Sequence, residues 1–383
     1  MKRMTALLLA ILTLMHLFVL PATAAEPPAV CAESAVLMDQ STGQVMFEKN
    51  AHKKLYPASV TKIMSLLLFM EALEEKKLSL DQQIEATAEA VAKGGSQIWL
   101  KEGERMTVDE LLRATAIGSA NDACTALAVQ LSGSEGAFVG RMNERAAALG
   151  MRDTVFRNCT GLDDDAPDHQ STAYDVALMS RALLGHKKIL DYTTVWMDSL
   201  RGGKTQLVNT NKLVRFYQGT TGLKTGTTNK AGCCVSASAQ RGGLHLIAVI
   251  MHAGSSDERF SDAKALLDWG FENFESVTPQ IDRALLAPVK VLRGAEDAVL
   301  PAMDPVAPLL LSKGEAERLQ ISVQLADAVA APVEDRQVLG ELAVRLGSRT
   351  LATYPLYAKT GVRALTLGDV ILRLLSALRV RAA

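Results

Sequence analysis

In this 383-residue chain, Ser59 and Lys62 stand three positions apart at the head of the apolar run "LYPASVTKIMSLLLFM". Residues at that spacing share one face of a helix, so the amine can lie beside the hydroxyl. A serine hydroxyl is a weak nucleophile until a neighbouring base takes its proton. Lysine serves as that base near neutrality only where burial or a second cation disfavours its charge. Lys224, which opens Lys224-Thr225-Gly226, is the natural candidate for the second cation. Between them comes Ser119-Ala120-Asn121, whose hydroxyl and amide could complete a hydrogen-bond relay around Ser59. Lys224 and Thr225 suit a substrate carboxylate. The N–H groups of Ser59 and of Thr227, the residue after Gly226, could face an oxyanion. The chemistry described is acyl transfer through a covalent serine intermediate. Taken singly, each residue also has a structural reading: Ser59 as a helix cap, Lys224 as a solvated strand lysine, Ser119 and Asn121 as turn residues.

The spacing alone is a weak signal, because the chain repeats it. Ser261-Asp262-Ala263-Lys264 is a second S-x-x-K, and Lys359-Thr360-Gly361 a second K-T-G. No S-x-N lies between that later pair, and Ser261 falls in a surface-helix pattern. The complete ordered trio occurs once.

The elements that must position these residues follow from pattern. "AVLMDQSTGQVMFEKN" reads as two strands around a Ser41-Thr42-Gly43 turn. A long apolar helix is expected from about Ser59 to Leu73. Thr107 and Glu110 form a capping box ahead of "LLRATAI". That helix should halt near Gly118, and another should begin around Asn121. "SEGAFVGRMNERAAALGM" is an amphipathic helix closed by Gly150, and "TAYDVALMSRALL" a further one. "CCVSASAQ" and "LHLIAVIMH" flank Arg241-Gly242-Gly243 as a hairpin, and "DERFSDAKALLDWGFENF" is a closing helix. Strands from both ends of this segment can share one antiparallel sheet against which the helices pack, an α/β layered domain. After Phe274 the chain turns to Pro-punctuated short apolar runs, a small all-β domain through about Tyr357.

The first 25 residues have the form of a secretory leader. Lys2 and Arg3 precede the apolar "ALLLAILTLMHLFVL", and "PATAA" supplies small residues for cleavage. The apolar run is shorter than the ~20 residues a membrane span needs. The expectation is therefore export. A net charge of −1 lacks the basic footprint of a nucleic-acid binder. Five cysteines (Cys31, Cys124, Cys159, Cys233, Cys234) show no disulfide framework, and the six histidines show no metal-ligand spacing. No metal or cofactor is expected. Asn158-Cys159-Thr160 matches a glycosylation acceptor, which a bacterial-type leader makes a coincidence.

S-x-x-K, a serine motif ending in Asn, and K-T-G, in that order, are the three elements of penicillin-recognising serine enzymes. With the longer stretches "SAVLMDQSTGQVMFEKNAHKKLYPASVTKIM" and "GTTGLKTGTTNKAGCCVSASA", the chain resembles the serine D-alanyl-D-alanine carboxypeptidases, the low-molecular-mass penicillin-binding proteins. The resemblance covers roughly residues 32–274 and is weaker in the β-rich tail. It implies a β-lactamase/transpeptidase-like domain over 26–275 behind a leader at 1–25. A small all-β sandwich over 283–358 and an amphipathic membrane-associated helix over 367–383 should follow. It also implies removal of the terminal D-alanine from peptidoglycan pentapeptides in wall maturation, and acylation by β-lactams. Ser59 would be the acylated nucleophile, Lys62 the proton acceptor and Ser119 the relay beside Asn121. Lys224 would anchor the substrate carboxylate together with Thr225, Gly226 and Thr227.

Two rivals fit less well. A class A β-lactamase deacylates through a glutamate-activated water, but no glutamate occurs between Arg145 and Asp257, and the second motif is S-A-N rather than S-D-N. Asp163, Asp164 and Asp165 remain as surrogates on a plausible loop. A non-catalytic β-lactam sensor would need a signalling segment, and none is visible. In the tail, Val370, Ile371, Leu374, Leu375 and Leu378 share a helical face bordered by Arg373, Arg379 and Arg381. That face suits the membrane interface. The alternative is a helix docked on the β-domain.

Overall fold

The computed structural model describes residues 26–162 and 167–373. The expected leader at 1–25, Asp163 to Asp165 and the tail positions from Leu374 onward lie outside the described residues. The chain divides into two compact units, Ala24–Glu275 and a second beginning at Ser276.

In the first unit, β1 (Ser34–Asp39) and β2 (Val45–Lys49) join three late strands: β3 (Thr220–Thr228), β4 (Gly232–Arg241) and β5 (Leu244–Ala253). They form one antiparallel sheet in the order β2-β1-β5-β4-β3. The expected closure of early strand on late strand is thus present, with Val36 opposite Val249. Gly242 and Gly243 turn β4 into β5 with φ of 53° and 84°, the left-handed pair a tight hairpin demands. β3, which carries Lys224, is an edge strand.

The longer helices are α1 (Lys62–Glu74), α2 (Val108–Ala116), α3 (Asn121–Ser132), α4 (Glu135–Ala148), α5 (Ala173–Gly185) and α6 (Ser256–Asn273). Every residue of α1 from Lys62 to Met70 is buried, so the helix runs through the core rather than over it. Such an all-round apolar helix has other elements on every side. Thr107 and Glu110 make the expected capping box, worth about 1 kcal/mol to α2. Gly150 closes α4 at φ 78°.

Two small strand pairs were not legible in the pattern. Gln83–Glu85 pairs with the distant Arg105–Thr107, and Met197–Leu200 forms a hairpin with Thr205–Val208. Each strand is only three or four residues, too short for a period-two alternation to register.

The second unit is all β. A four-stranded sheet built on Leu319–Leu325, Val338–Leu346 and Arg349–Ala358 accompanies a three-stranded one centred on Val289–Leu292. Val289, Val291 and Val299 of the smaller sheet share a core with Leu339 and Ala358 of the larger. Residues 367–373 are helical. Arg373, expected to border a membrane-facing side, donates instead to Asp297 at 2.9 Å and to the Ala295 carbonyl at 2.6 Å. Leu367, Ile371 and Leu372 are exposed. No helix among the described residues is long and apolar enough to cross a membrane.

Candidate active site

The segment ahead of α1 is a short 3-10 turn, Ala58–Thr61, rather than the first turn of one continuous helix. Ala58 has φ 47°, a left-handed value that a non-glycine residue adopts only under constraint. Two glycines supply the constraint. A Cβ on Gly161 would fall 1.8 Å from the Ala58 carbonyl oxygen, and one on Gly226 2.8 Å from the Ser59 nitrogen. Backbone from a distant loop and from β3 therefore presses on the turn from two directions. Ser59 is left half-buried at its edge.

Lys62, one turn on, is fully buried. Its ammonium donates to Ser59 Oγ at 2.9 Å, to Asn121 Oδ1 at 2.5 Å and to the Thr160 carbonyl at 2.9 Å. An ammonium has three N–H bonds, and all are used. Asn121 is fixed in this orientation because its Nδ2 donates to the Gly94 carbonyl at 2.7 Å. Neutralisation then has one available outcome. The Asn121 and Thr160 oxygens can only accept, so both remaining N–H bonds stay with them. The freed lone pair falls to Ser59, the one partner with a hydroxyl proton to give. Burial pulls the Lys62 amine down to about 8, against opposition from Cys124, Cys159 and Asp122.

Lys224 sits on β3, 1% exposed, with its amine on the Thr225 carbonyl at 3.1 Å. Burial holds it well below its ordinary value, and the charges of Lys62 and Arg259 push the same way. Lys62 and Lys224 are like charges buried in one site, and their mutual repulsion disfavours charge on the pair.

Thr225 Oγ1 donates to Thr210 Oγ1 at 2.7 Å, and Thr227 Oγ1 accepts from Arg259 at 2.9 Å. Ser119 lies between α2 and α3 at φ 60°, buried, and its hydroxyl has no hydrogen-bond partner among the described residues. The bond to Lys62 comes from Asn121, two positions on. So Ser59, Lys62 and Asn121 are joined directly. Gly226 abuts them, and Lys224, Thr225 and Thr227 follow along the same strand.

Several participants escaped sequence reasoning. Asn158, set aside as a chance acceptor, accepts through Oδ1 from the N–H groups of Thr160 at 3.1 Å and Gly161 at 2.6 Å. It thereby shapes the loop that offers Thr160's carbonyl to Lys62. His169 Nδ1 accepts the Arg157 N–H at 3.2 Å, which leaves Nε2 to donate to Thr61 Oγ1 at 2.9 Å. Arg259 donates to the Gly226 carbonyl at 3.1 Å and to that of Cys234 at 3.3 Å. Its signal was available: a charge at the apolar face of α6, one turn from Ala263. Of the repeated motifs, Ser261 and Lys264 are exposed on α6, and Lys359 to Gly361 are exposed in the second unit. All five cysteines are free. Among the described residues no cluster of His, Cys, Asp or Glu could hold a metal.

Residues 21–255 match the D-alanyl-D-alanine carboxypeptidase family, and residues 274–364 match the C-terminal domain of penicillin-binding protein 5. The D-alanyl-D-alanine carboxypeptidase DacF of Bacillus subtilis (strain 168) is 39% identical over 87% of this chain and 86% of its own length. Penicillin-binding protein 5 of Haemophilus influenzae superposes with a TM-score of 0.78 at 27% identity, over 88% of this chain and 99% of that one. Penicillin-binding protein D2 of Listeria monocytogenes, solved in an ampicillin-bound form, gives a TM-score of 0.59 at 32% identity over 64% of this chain and 100% of its own. Matched by family models in both units and by relatives along most of its length, the chain belongs to the serine D-alanyl-D-alanine carboxypeptidases, the low-molecular-mass penicillin-binding proteins.

Proposed function

We propose that this carboxypeptidase is exported and trims the terminal D-alanine from peptidoglycan pentapeptides through an acyl-enzyme on Ser59. The observation that carries the reading is the triple hydrogen bond of Lys62, which directs its lone pair at Ser59 once the amine is neutral. Lys62 takes the hydroxyl proton as Ser59 Oγ attacks the penultimate carbonyl. The oxyanion meets the N–H groups of Ser59 and Thr227, a reading supported by the close approach of Gly226 to the Ser59 nitrogen. Lys62 returns its proton to the departing amine of D-alanine, and water then hydrolyses the ester. Lys224 and Thr225 hold the substrate's terminal carboxylate, which supplies the counter-charge that Lys224 lacks in its buried position. As an edge strand, β3 leaves backbone groups free to pair with an extended peptide. Ser119, with an uncommitted hydroxyl, passes the proton on toward the leaving group in this reading.

β-Lactams acylate the same serine in this reading, since a penicillin presents both a strained amide and a carboxylate. The leader directs the enzyme out of the cytoplasm, and the tail holds it at the outer face of the membrane, where it acts in wall maturation. Mass spectrometry of the intact protein after brief exposure to penicillin should show one adduct, mapped to the peptide containing Ser59. Release of D-alanine from a D-Ala-D-Ala peptide should disappear with it. An adduct on Ser261, or none, would overturn the mechanism.

A further inference from the structure

Apart from the acyl-transfer residues, a hollow of about 900 Å3 opens between the segment 97–104 and residues 201–206. Its volume suits a ligand larger than a dipeptide. Trp99 stands in it 75% exposed. Its backbone is left-handed, at φ 58°, and so is that of Arg201 on the other wall, at φ 53°. Bulky residues keep such conformations only where their surroundings impose them. Here they do. Asp122 accepts the N–H groups of Ile98 at 3.2 Å and Leu100 at 2.9 Å, one on each side of Trp99. Arg201 forks onto Glu104 at 2.7 and 3.1 Å and donates to the Ile98 carbonyl at 2.8 Å. The loop is thus pinned in a strained shape that holds an indole out in water, which packing does not explain.

Both walls run on into the acyl-transfer site. Asp122 adjoins Asn121, and the Asn121 N–H donates to the Ser96 carbonyl at 2.7 Å. On the other wall the chain continues through Leu207, against which a Cβ on Gly118 would press at 3.1 Å. It reaches Thr210, the hydrogen-bond partner of Thr225. Lys101 and Lys204, one on each wall, are exposed; Glu102 and Glu104 also line the hollow, and Arg201 takes up Glu104.

We propose that this groove binds the part of the substrate upstream of D-Ala-D-Ala, an acidic peptide carried on an amino sugar. The sugar's C–H face lies on Trp99, and the peptide carboxylates meet Lys101 and Lys204. The proposal rests on the carboxypeptidase reading above. An indole offers a large rigid contact surface with a polar edge that stays solvated, which suits a ligand part apolar and part wet. With Arg201 paired to Glu104, the two ammonium groups outnumber the remaining carboxylate of Glu102, and this positive excess suits a ligand with negative charge. A short neutral peptide would use the acyl-transfer residues alone, so the groove distinguishes polymer-derived substrate from free peptide.

The test compares D-alanine release by the mature enzyme from two substrates, a neutral diacyl peptide ending in D-Ala-D-Ala and a disaccharide-pentapeptide. Trp99→Ala should lower kcat/KM for the disaccharide-pentapeptide about tenfold, leave the short peptide within about twofold, and Trp99→Phe should restore most of the loss. The Lys101→Ala, Lys204→Ala double variant should lower the same ratio and flatten its dependence on salt. Equal losses on both substrates, or none on either, would overturn the groove. Penicillin acylation of Ser59 reports separately on the carboxypeptidase reading: a parent enzyme that is neither acylated nor active on either substrate defeats that reading as a whole.

Discussion

Two places in this chain spell S-x-x-K and two spell K-T-G, yet their surroundings are opposite. Lys62 is walled in by Asn121 and the Thr160 carbonyl, with Ser59 at the open end. Ser261 and Lys264 lie in water on the outer side of α6. Lys224 is 1% exposed on a strand whose glycine abuts the Ser59 turn, whereas Lys359 to Gly361 form an exposed turn in the other unit. Spacing brings two groups to one face in every copy. Only burial strips the charge from the amine, and only a fixed set of acceptors aims its lone pair.

The sharpest way to break this contrast is to change both lysines alike. Lys62→Arg keeps a cation but abolishes an accessible neutral form. Acylation by penicillin should fall roughly 10²–10⁴-fold, the usual worth of a general base. Lys264→Arg should leave the rate unchanged. Stopped-flow acylation of the two variants decides it, and near-parental reaction of Lys62→Arg would make that lysine structural.

Next in size is the packing behind the turn. Gly161→Ala places a methyl within 1.8 Å of the Ala58 carbonyl oxygen, at a residue with φ 87°. Unfolding in urea should show a loss of about 3 kcal/mol, the upper end for overpacking a core. The activity that survives should show slowed acylation, because Ser59 sits on the displaced turn. Gly314→Ala, also left-handed but with open space around it, should cost only about 1 kcal/mol.

The pH dependence sharpens the comparison further. With Lys62 at about 8, the acylation rate should climb roughly tenfold per pH unit below that value and level off above it. Stability carries the matching signature. The folded state binds this proton less tightly than the unfolded chain, so the penalty for burying the charge is complete below pH 8. It is released as pH rises from about 8 toward the unfolded value of 10.5, and stability should increase across that window. Lys62→Met should lessen the slope and leave the part that belongs to Lys224, whose amine is also held below its ordinary value; an unchanged slope would place its origin elsewhere.

The smallest effect on turnover should come from the tail. Deleting residues 367–383 should release the enzyme from anionic vesicles while hydrolysis of a soluble peptide stays within about twofold. Salt alone should weaken vesicle binding only partly, since screening removes the arginine attraction and leaves the apolar contact. Arg373, engaged with Asp297, makes thermal stability the informative control. Absence of vesicle binding together with a lower melting temperature on truncation would mean that the helix serves only to dock.

Much of the architecture was readable because it rests on local signals. The Thr107 to Glu110 box, the Gly150 stop and the Gly242-Gly243 turn each report on a few neighbouring residues. The sheet order could be inferred because early and late apolar strands needed partners. What was not readable depends on contacts distant in sequence. Nothing local to Asn158 reveals that its amide folds a loop onto a lysine 96 positions earlier, or that Gly161 must be bare because Ala58 arrives from elsewhere. Arg259 was passed over because a charge in an amphipathic helix is ordinarily solvated.

The Asn158 amide has a consequence for how this protein can be made. Asn158-Cys159-Thr160 satisfies the acceptor rule for oligosaccharyl transfer in a eukaryotic secretory pathway. That reaction acts on the growing chain, before the side chain has found the Leu162 carbonyl, on which its Nδ2 donates at 2.6 Å. A glycan attached there would have to occupy the part-buried space beneath the lysine loop, and the loop could not close around it. A preparation secreted from such a host should therefore divide into an unglycosylated active fraction and a glycosylated fraction blind to penicillin, whereas a bacterial host would yield only the first.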